Sequence, residues 1–135
     1  RWFRQIRKGQ SMSSKLNPPV QSMTEVQKFF EGEWHITEMA KWDQKAINLI
    51  SQANIIFDHD QMGSFLFIAV RGFMDCRYSQ CDGRPLVEFS WQGRDERDDT
   101  NGRGWAIIGD DGSMKGHIFI HSGEDSSFCA TRPSR

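Results

Sequence analysis

The stretch Phe29-Phe30-Glu31-Gly32-Glu33-Trp34 stands where a short apolar helix runs into the first of eight strand-like segments, and it points to a small closed β-barrel. Upstream, Thr24 is placed to cap a helix through Phe30, with Val26, Phe29 and Phe30 on its apolar side. Downstream, β-rich segments recur at Trp34–Met39, Ala53–Asp58, Ser64–Val70, Phe73–Tyr78, Leu86–Gln92, Gly104–Ile108, Lys115–His121 and Ser127–Arg132. Eight short strands predict an all-β domain. The connectors Asp58 to Gly63, Arg71-Gly72, Cys81-Asp82-Gly83, Asn101-Gly102 and Asp110-Asp111-Gly112 carry turn-forming residues, so successive strands are expected to pair as hairpins. The expected architecture is an eight-stranded antiparallel up-and-down β-barrel with a short N-terminal helix. Residues 40–52, which include Lys41-Trp42-Asp43 and then Ala46, Ile47, Leu49 and Ile50, read either as a helical turn or as a lid over an open end.

The chain has 135 residues, which suits one core and one domain. Ten Phe and five Trp supply large buried surfaces although the mean hydropathy is negative. The longest apolar run, Phe65 to Val70, has the length of a strand and falls far below the ~20 residues of a membrane-spanning helix, so no membrane span is expected. Arg1, Arg4, Arg7, Lys8 and Lys15 all precede Met23 and no acid does. Taking these five from 17 basic residues leaves 12 against 18 acids, a formal charge of −6 from Met23 onward. That balance argues against a nucleic-acid partner for the domain. Residues 1–22, with Asn17-Pro18-Pro19 and a Ser-rich run, read as a flexible basic leader or an added segment, and residues 23–135 as the barrel domain. Met12 and Met23 are candidate native starts, and no apolar signal-peptide core follows the basic residues.

Alternation places Phe65, Phe67 and Ala69 on one face, Val87, Phe89 and Trp91 on one face of another strand, and Ile118 with Ile120 on a third. These are the expected interior positions. A barrel of eight strands has room for side chains or one small ligand, so this many inward rings disfavour a large hydrophobic cargo. Leu66 and Ile68 alternate with that set, and Trp105 and Ile107 alternate with Ala106 and Ile108, so some outer faces need cover. The helix, residues 40–52 or a second copy in a homodimer would supply it.

The residues around Trp34 resemble the calycin superfamily, the lipocalin-like and fatty-acid-binding-like small barrels, over roughly Met23 to Arg132. Phe29-Phe30-Glu31-Gly32-Glu33-Trp34 is similar to the short helix and Gly-x-Trp opening of the first strand in such barrels. The resemblance implies that Gly32 permits the turn, that Trp34 closes the barrel bottom and that Arg132 packs over its ring as a cation–π partner. The chain is similar to compact bacterial calycin-like proteins rather than to secreted lipocalins, which implies a bacterial protein. Glu88 to Glu96 and Gly102-Arg103-Gly104-Trp105 add to that likeness without naming a substrate.

Noncatalytic binding of a small, partly apolar molecule, within the barrel or at its mouth, is the leading functional expectation, with Trp42, Phe65, Phe67, Phe89 and Trp91 as candidate contacts. Each of these is equally suited to plain core packing. One alternative is a small-molecule isomerase or hydrolase that uses buried polar groups. Asp75, Arg77 and Glu88 would serve it if they faced inward; facing outward they form a surface charge ladder. The other alternative is a homodimerizing protein with a filled interior. No cofactor is expected from the residues. Haem enters as an alternative through His117 and His121, which share a strand face, because some calycin-like barrels hold haem through a histidine. His35 and His59 add no short metal-binding motif, and no metal ligand set is assigned. Asp95, Glu96, Asp98 and Asp99 lack calcium-loop spacing and are interrupted by Arg94 and Arg97, so a solvated hairpin loop is expected there. Ser90 lacks a nucleophile-elbow context, and Gly102-Arg103-Gly104 is no phosphate loop. Cys76, Cys81 and Cys129 form an odd set; a Cys76–Cys81 bridge across a hairpin is geometrically conceivable, but a reducing cytoplasm with free thiols is favoured.

Overall fold

A computed structural model of the chain describes residues 23–134; the leader expected over residues 1–22 lies outside the described residues. The element order is α1 (Met23–Phe30), β1 (Gly32–Met39), α2 (Gln44–Ile47), β2 (Asn54–Phe57), β3 (Met62–Phe67), β4 (Val70–Cys81), β5 (Arg84–Asp95), β6 (Asp98–Ile108), β7 (Met114–Ile120) and β8 (Asp125–Thr131). The strands pair antiparallel in chain order, and β8 returns to β1 to close the barrel. A register shift between Ile36 and Glu38 bends β1 where it meets β8. None of the described helices is long and apolar enough to cross a membrane.

The two ends are closed by different pieces of chain. At one end α1 buries Val26, Gln27 and Phe30, while Phe29 turns outward and is 46% exposed, contrary to the apolar side expected for it. The buried face follows the helical i, i+1, i+4 spacing, which Phe29 does not share. Phe30, Phe57 and Tyr78 meet with ring centroids 5.3 to 6.5 Å apart. Gly32 then makes the corner with φ +101°, a conformation open to glycine at little cost. Beside it Trp34 is buried, its Nε1–H donates to Phe30 O at 2.8 Å, and Arg132 Cζ stands 4.0 Å from its ring centroid. The Arg132 guanidinium also donates to Glu31 O at 2.7 Å and Phe29 O at 3.1 Å, satisfying carbonyls that the end of α1 leaves free.

Residues 40–52 close the other end, and both readings offered for them hold together. Asp43 caps α2 by accepting from the Ala46 amide at 2.8 Å, and the short helix drives Ile47 into full burial. Ile47 O accepts from the Ile68 amide at 2.9 Å. That contact lies in a tight turn that differs from expectation. Phe67 pairs directly with Val70, so the chain reverses at Ile68-Ala69 and not at Arg71-Gly72. Likewise the β5–β6 reversal falls at Glu96-Arg97, and Asn101-Gly102 lie within β6. The glycines that read as turn signals are points of close approach within the sheet. A Cβ on Gly72 would run into the Phe65 ring, and one on Gly102 would run first into the backbone carbonyl of Phe119 on β7, with Trp91 Nε1 at 2.9 Å.

The lumen is filled. Trp34, Ile55, Phe57, Phe65, Phe67, Met74, Val87, Phe89, Trp91, Ile118 and Phe128 are each no more than 5% exposed and belong to one cluster. Gly104 and Gly116 lie under Phe89 and Phe128, where a Cβ would meet ring carbons at 2.5 and 2.6 Å. Burial of one such ring contributes about 2–3 kcal/mol, so the rings are the main source of stability. Ala69, expected inside, instead sits in the β3–β4 turn and is half-buried; Ile120 packs only partly buried against the core. Cys76 and Cys81 lie on the same strand, five residues apart, which at ~3.3 Å per residue excludes the bridge considered above. All three cysteines are free thiols.

Candidate functional site

Four of the five rings expected to touch a ligand do come together. Trp42 lies over Phe67 at 5.6 Å between centroids, Phe67 stacks on Phe65 at 5.7 Å, and Phe65 meets Trp91 edge-on at 5.0 Å. They form a file of rings leading inward from the end that α2 covers. Phe89 stands apart from that file, seated on Gly104. Trp42 is the half-buried member; Phe65, Phe67, Phe89 and Trp91 are in the core.

Among the described residues no Asp, Glu, Lys, Arg or His side chain is buried in that interior. The buried polar residues among those described are Gln27 and Ser126, together with the Cys76 thiol and the Tyr78 hydroxyl. Burial pushes the Cys76 thiol up to about 12 and raises the Tyr78 phenol above its ordinary value, so both stay protonated through neutral pH. Among the described residues Trp91 Nε1 has no hydrogen-bond partner, and the Tyr78 hydroxyl has the Cys76 thiol as its polar neighbour. Asp75 and Arg77 are exposed on the outer wall and pair with each other, and Arg77 faces the half-buried Glu88 across the β4–β5 ladder. The charge ladder is therefore external, worth ~1 kcal/mol or less per pair. Ser90 is exposed as well.

The histidines also stay outside. His117 Nε2 is 2.6 Å from Asp125 Oδ2 and its ring lies 4.5 Å from Phe119, while His121 is exposed beyond the end of β7. Asp95 and Asp98 face each other around the Glu96-Arg97 turn. Among the described residues no group of three or more His, Cys, Asp or Glu is placed to hold a metal ion.

The wall of β3 to β6 carries a groove of about 740 Å³ near the end covered by α2. Its composition follows from strand register. Leu66, Arg71, Arg94 and Asp99 make one row across the four strands, and Ser64, Phe73, Gln92 and Asn101 make the next. Leu66 is 6% exposed and forms apolar floor, Phe73 is 57% exposed, and Ile50 reaches in from the segment after α2. Arg94 Nε lies 3.8 Å from Asp99 Oδ1. Arg71 has no ion pair or side-chain hydrogen bond among the described residues. Glu96 lies toward the hairpin tip, where its amide donates to Ala69 O.

Sequence reading did not find this groove. Its one early trace was Leu66, an apolar residue on the outward parity of an otherwise inward-packed strand. In sequence Arg71 belongs to a pair that reads as a turn, and Arg94 reads as an interruption of an acidic loop. The two arginines become neighbours once the β4–β5 register is known. Comparison of the chain with models of protein families, with curated proteins and with solved structures gives no match.

Proposed function

We propose that this barrel, built on a calycin-like plan, is a noncatalytic binding protein for a small, partly apolar molecule, and that the molecule lies in the β3–β6 groove on the outer wall. The observation that carries this reading is the contrast between a lumen packed with rings on glycines and an open, half-apolar groove of about 740 Å³ beside it. That volume lies within the ~300–1,000 Å³ of small-molecule sites, and Leu66, Phe73 and Ile50 offer apolar contact with Gln92 and Asn101 alongside as hydrogen-bonding groups. The free thiols suit a reducing compartment such as the cytoplasm. The reading is tested by titrating 15N-labelled protein with neutral 2-naphthamide. Saturable amide shifts confined to residues 64–73 and 92–101 are expected. Shifts centred on Trp34, Tyr78 and Phe89, or none with either this probe or 2-naphthoate at millimolar concentration, would refute the groove as the site.

A second reading has its own support: Met62, Phe73, Leu49 and Ile50 are 46 to 67% exposed on this side of a filled barrel, which favours self-association. Sedimentation equilibrium at high concentration decides it. A dimer broken by Phe73→Ser supports assembly, and a monomer removes it.

A further inference from the structure

Resting on the groove as the binding site, we infer that its ligand is an organic anion, a molecule with one carboxylate and an apolar body, held by Arg71 and Arg94. The two arginines are direct cross-strand partners on the outer face of β4 and β5. Like charges placed opposite each other in a ladder repel, so the pairing is unfavourable unless something negative lies between or over them. Asp99 answers only part of this. It approaches Arg94 alone, at 3.8 Å, with both side chains mostly exposed, a geometry of little strength. Among the described residues Arg71, with Leu66 on one flank and Arg94 on the other, is left as an unanswered cation of the groove.

What surrounds the pair defines the rest of the molecule. Leu66 on one side and Phe73 in the next row give an apolar surface directly beside the guanidinium groups. A carboxylate is planar and accepts two parallel N–H bonds from a guanidinium, which matches two Arg side chains better than a spherical ion does. An apolar body joined to that carboxylate would then lie on Phe73 and Leu66. Glu96 and Asp99 toward the hairpin tip disfavour a second negative charge, so the expected ligand is a monoanion and not a nucleotide or polyphosphate.

The test compares 2-naphthoate with 2-naphthamide, which has the same ring system without the charge, by ligand-observed NMR and calorimetry at low salt. Naphthoate is expected to bind wild type about tenfold more tightly than the amide, the ratio for one charge-assisted contact. Arg71→Gln should abolish that preference. Phe73→Ser should weaken both probes, and Arg77→Gln, outside the groove, should weaken neither. Equal affinities for the two probes, with Phe73→Ser weakening both, would overturn the anion assignment and leave the groove standing. A naphthoate preference that survives Arg71→Gln would place the anion elsewhere and overturn the assignment. Failure of both probes to bind, or binding indifferent to Phe73→Ser, would overturn both the assignment and the groove.

Discussion

Arg132 does several things at one point. Its guanidinium lies over the Trp34 ring and donates to carbonyls at the end of α1, so one side chain ties the last strand to the first helix and the first strand. A cation–π contact contributes about 1 kcal/mol at such a half-open site, and a charged donor to otherwise free carbonyls adds a similar amount. Arg132→Ala is therefore expected to lower unfolding free energy by about 1–2 kcal/mol in chemical denaturation. Arg132→Lys should recover only part, because an ammonium cannot present a planar fork to several carbonyls while stacking on a ring.

At the scale of an element, α2 shows how four helical residues acquire a role from their cap. The Asp43 carboxylate supplies the acceptor that α2 needs at its start, and Ile47 O in turn receives the Ile68 amide. Ile68 has φ +55°, a costly conformation for a β-branched residue, and it is sustained by that hydrogen bond and by packing on the core. Asp43→Ala should cost about 1 kcal/mol as a lost cap. Hydrogen exchange should rise first at the Ile68 amide, well before β4 and β5, which are 12 residues each and paired from Val70↔Asp95 to Cys81↔Arg84.

The filled barrel has a consequence for the whole molecule at alkaline pH. Cys76 is fully buried, and its folded-state value of about 12 exceeds the ordinary 9.0 because burial disfavours the thiolate. A group whose proton is held more tightly in the folded state contributes stability that is complete below its unfolded value and lost as pH rises toward the folded one. Stability is therefore expected to fall by about 1 kcal/mol per pH unit from just above pH 9 toward pH 11, with Tyr78 adding to the loss above pH 10. Urea denaturation between pH 8 and 11 checks this. Cys76→Ala should flatten the decline between pH 9 and 10, whatever it does to stability at pH 7.

Alternation of apolar and polar residues and the placement of Trp34 after Gly32 were enough to specify eight sequential strands, a short leading helix and an inward set that includes Phe65, Phe67, Val87, Phe89 and Trp91. Those features are local, because a side chain's face in a strand depends only on its parity. Turn positions were less legible: Gly72 and Gly102 look like turn residues in sequence, yet give room to the Phe65 ring and to the close-lying Phe119 backbone, contacts that exist only once neighbouring strands face each other. The meeting of Arg71 and Arg94 beside Leu66 and Phe73 was decided by tertiary structure alone. Cross-strand neighbours are a property of register, and register emerges from how the whole barrel packs and closes.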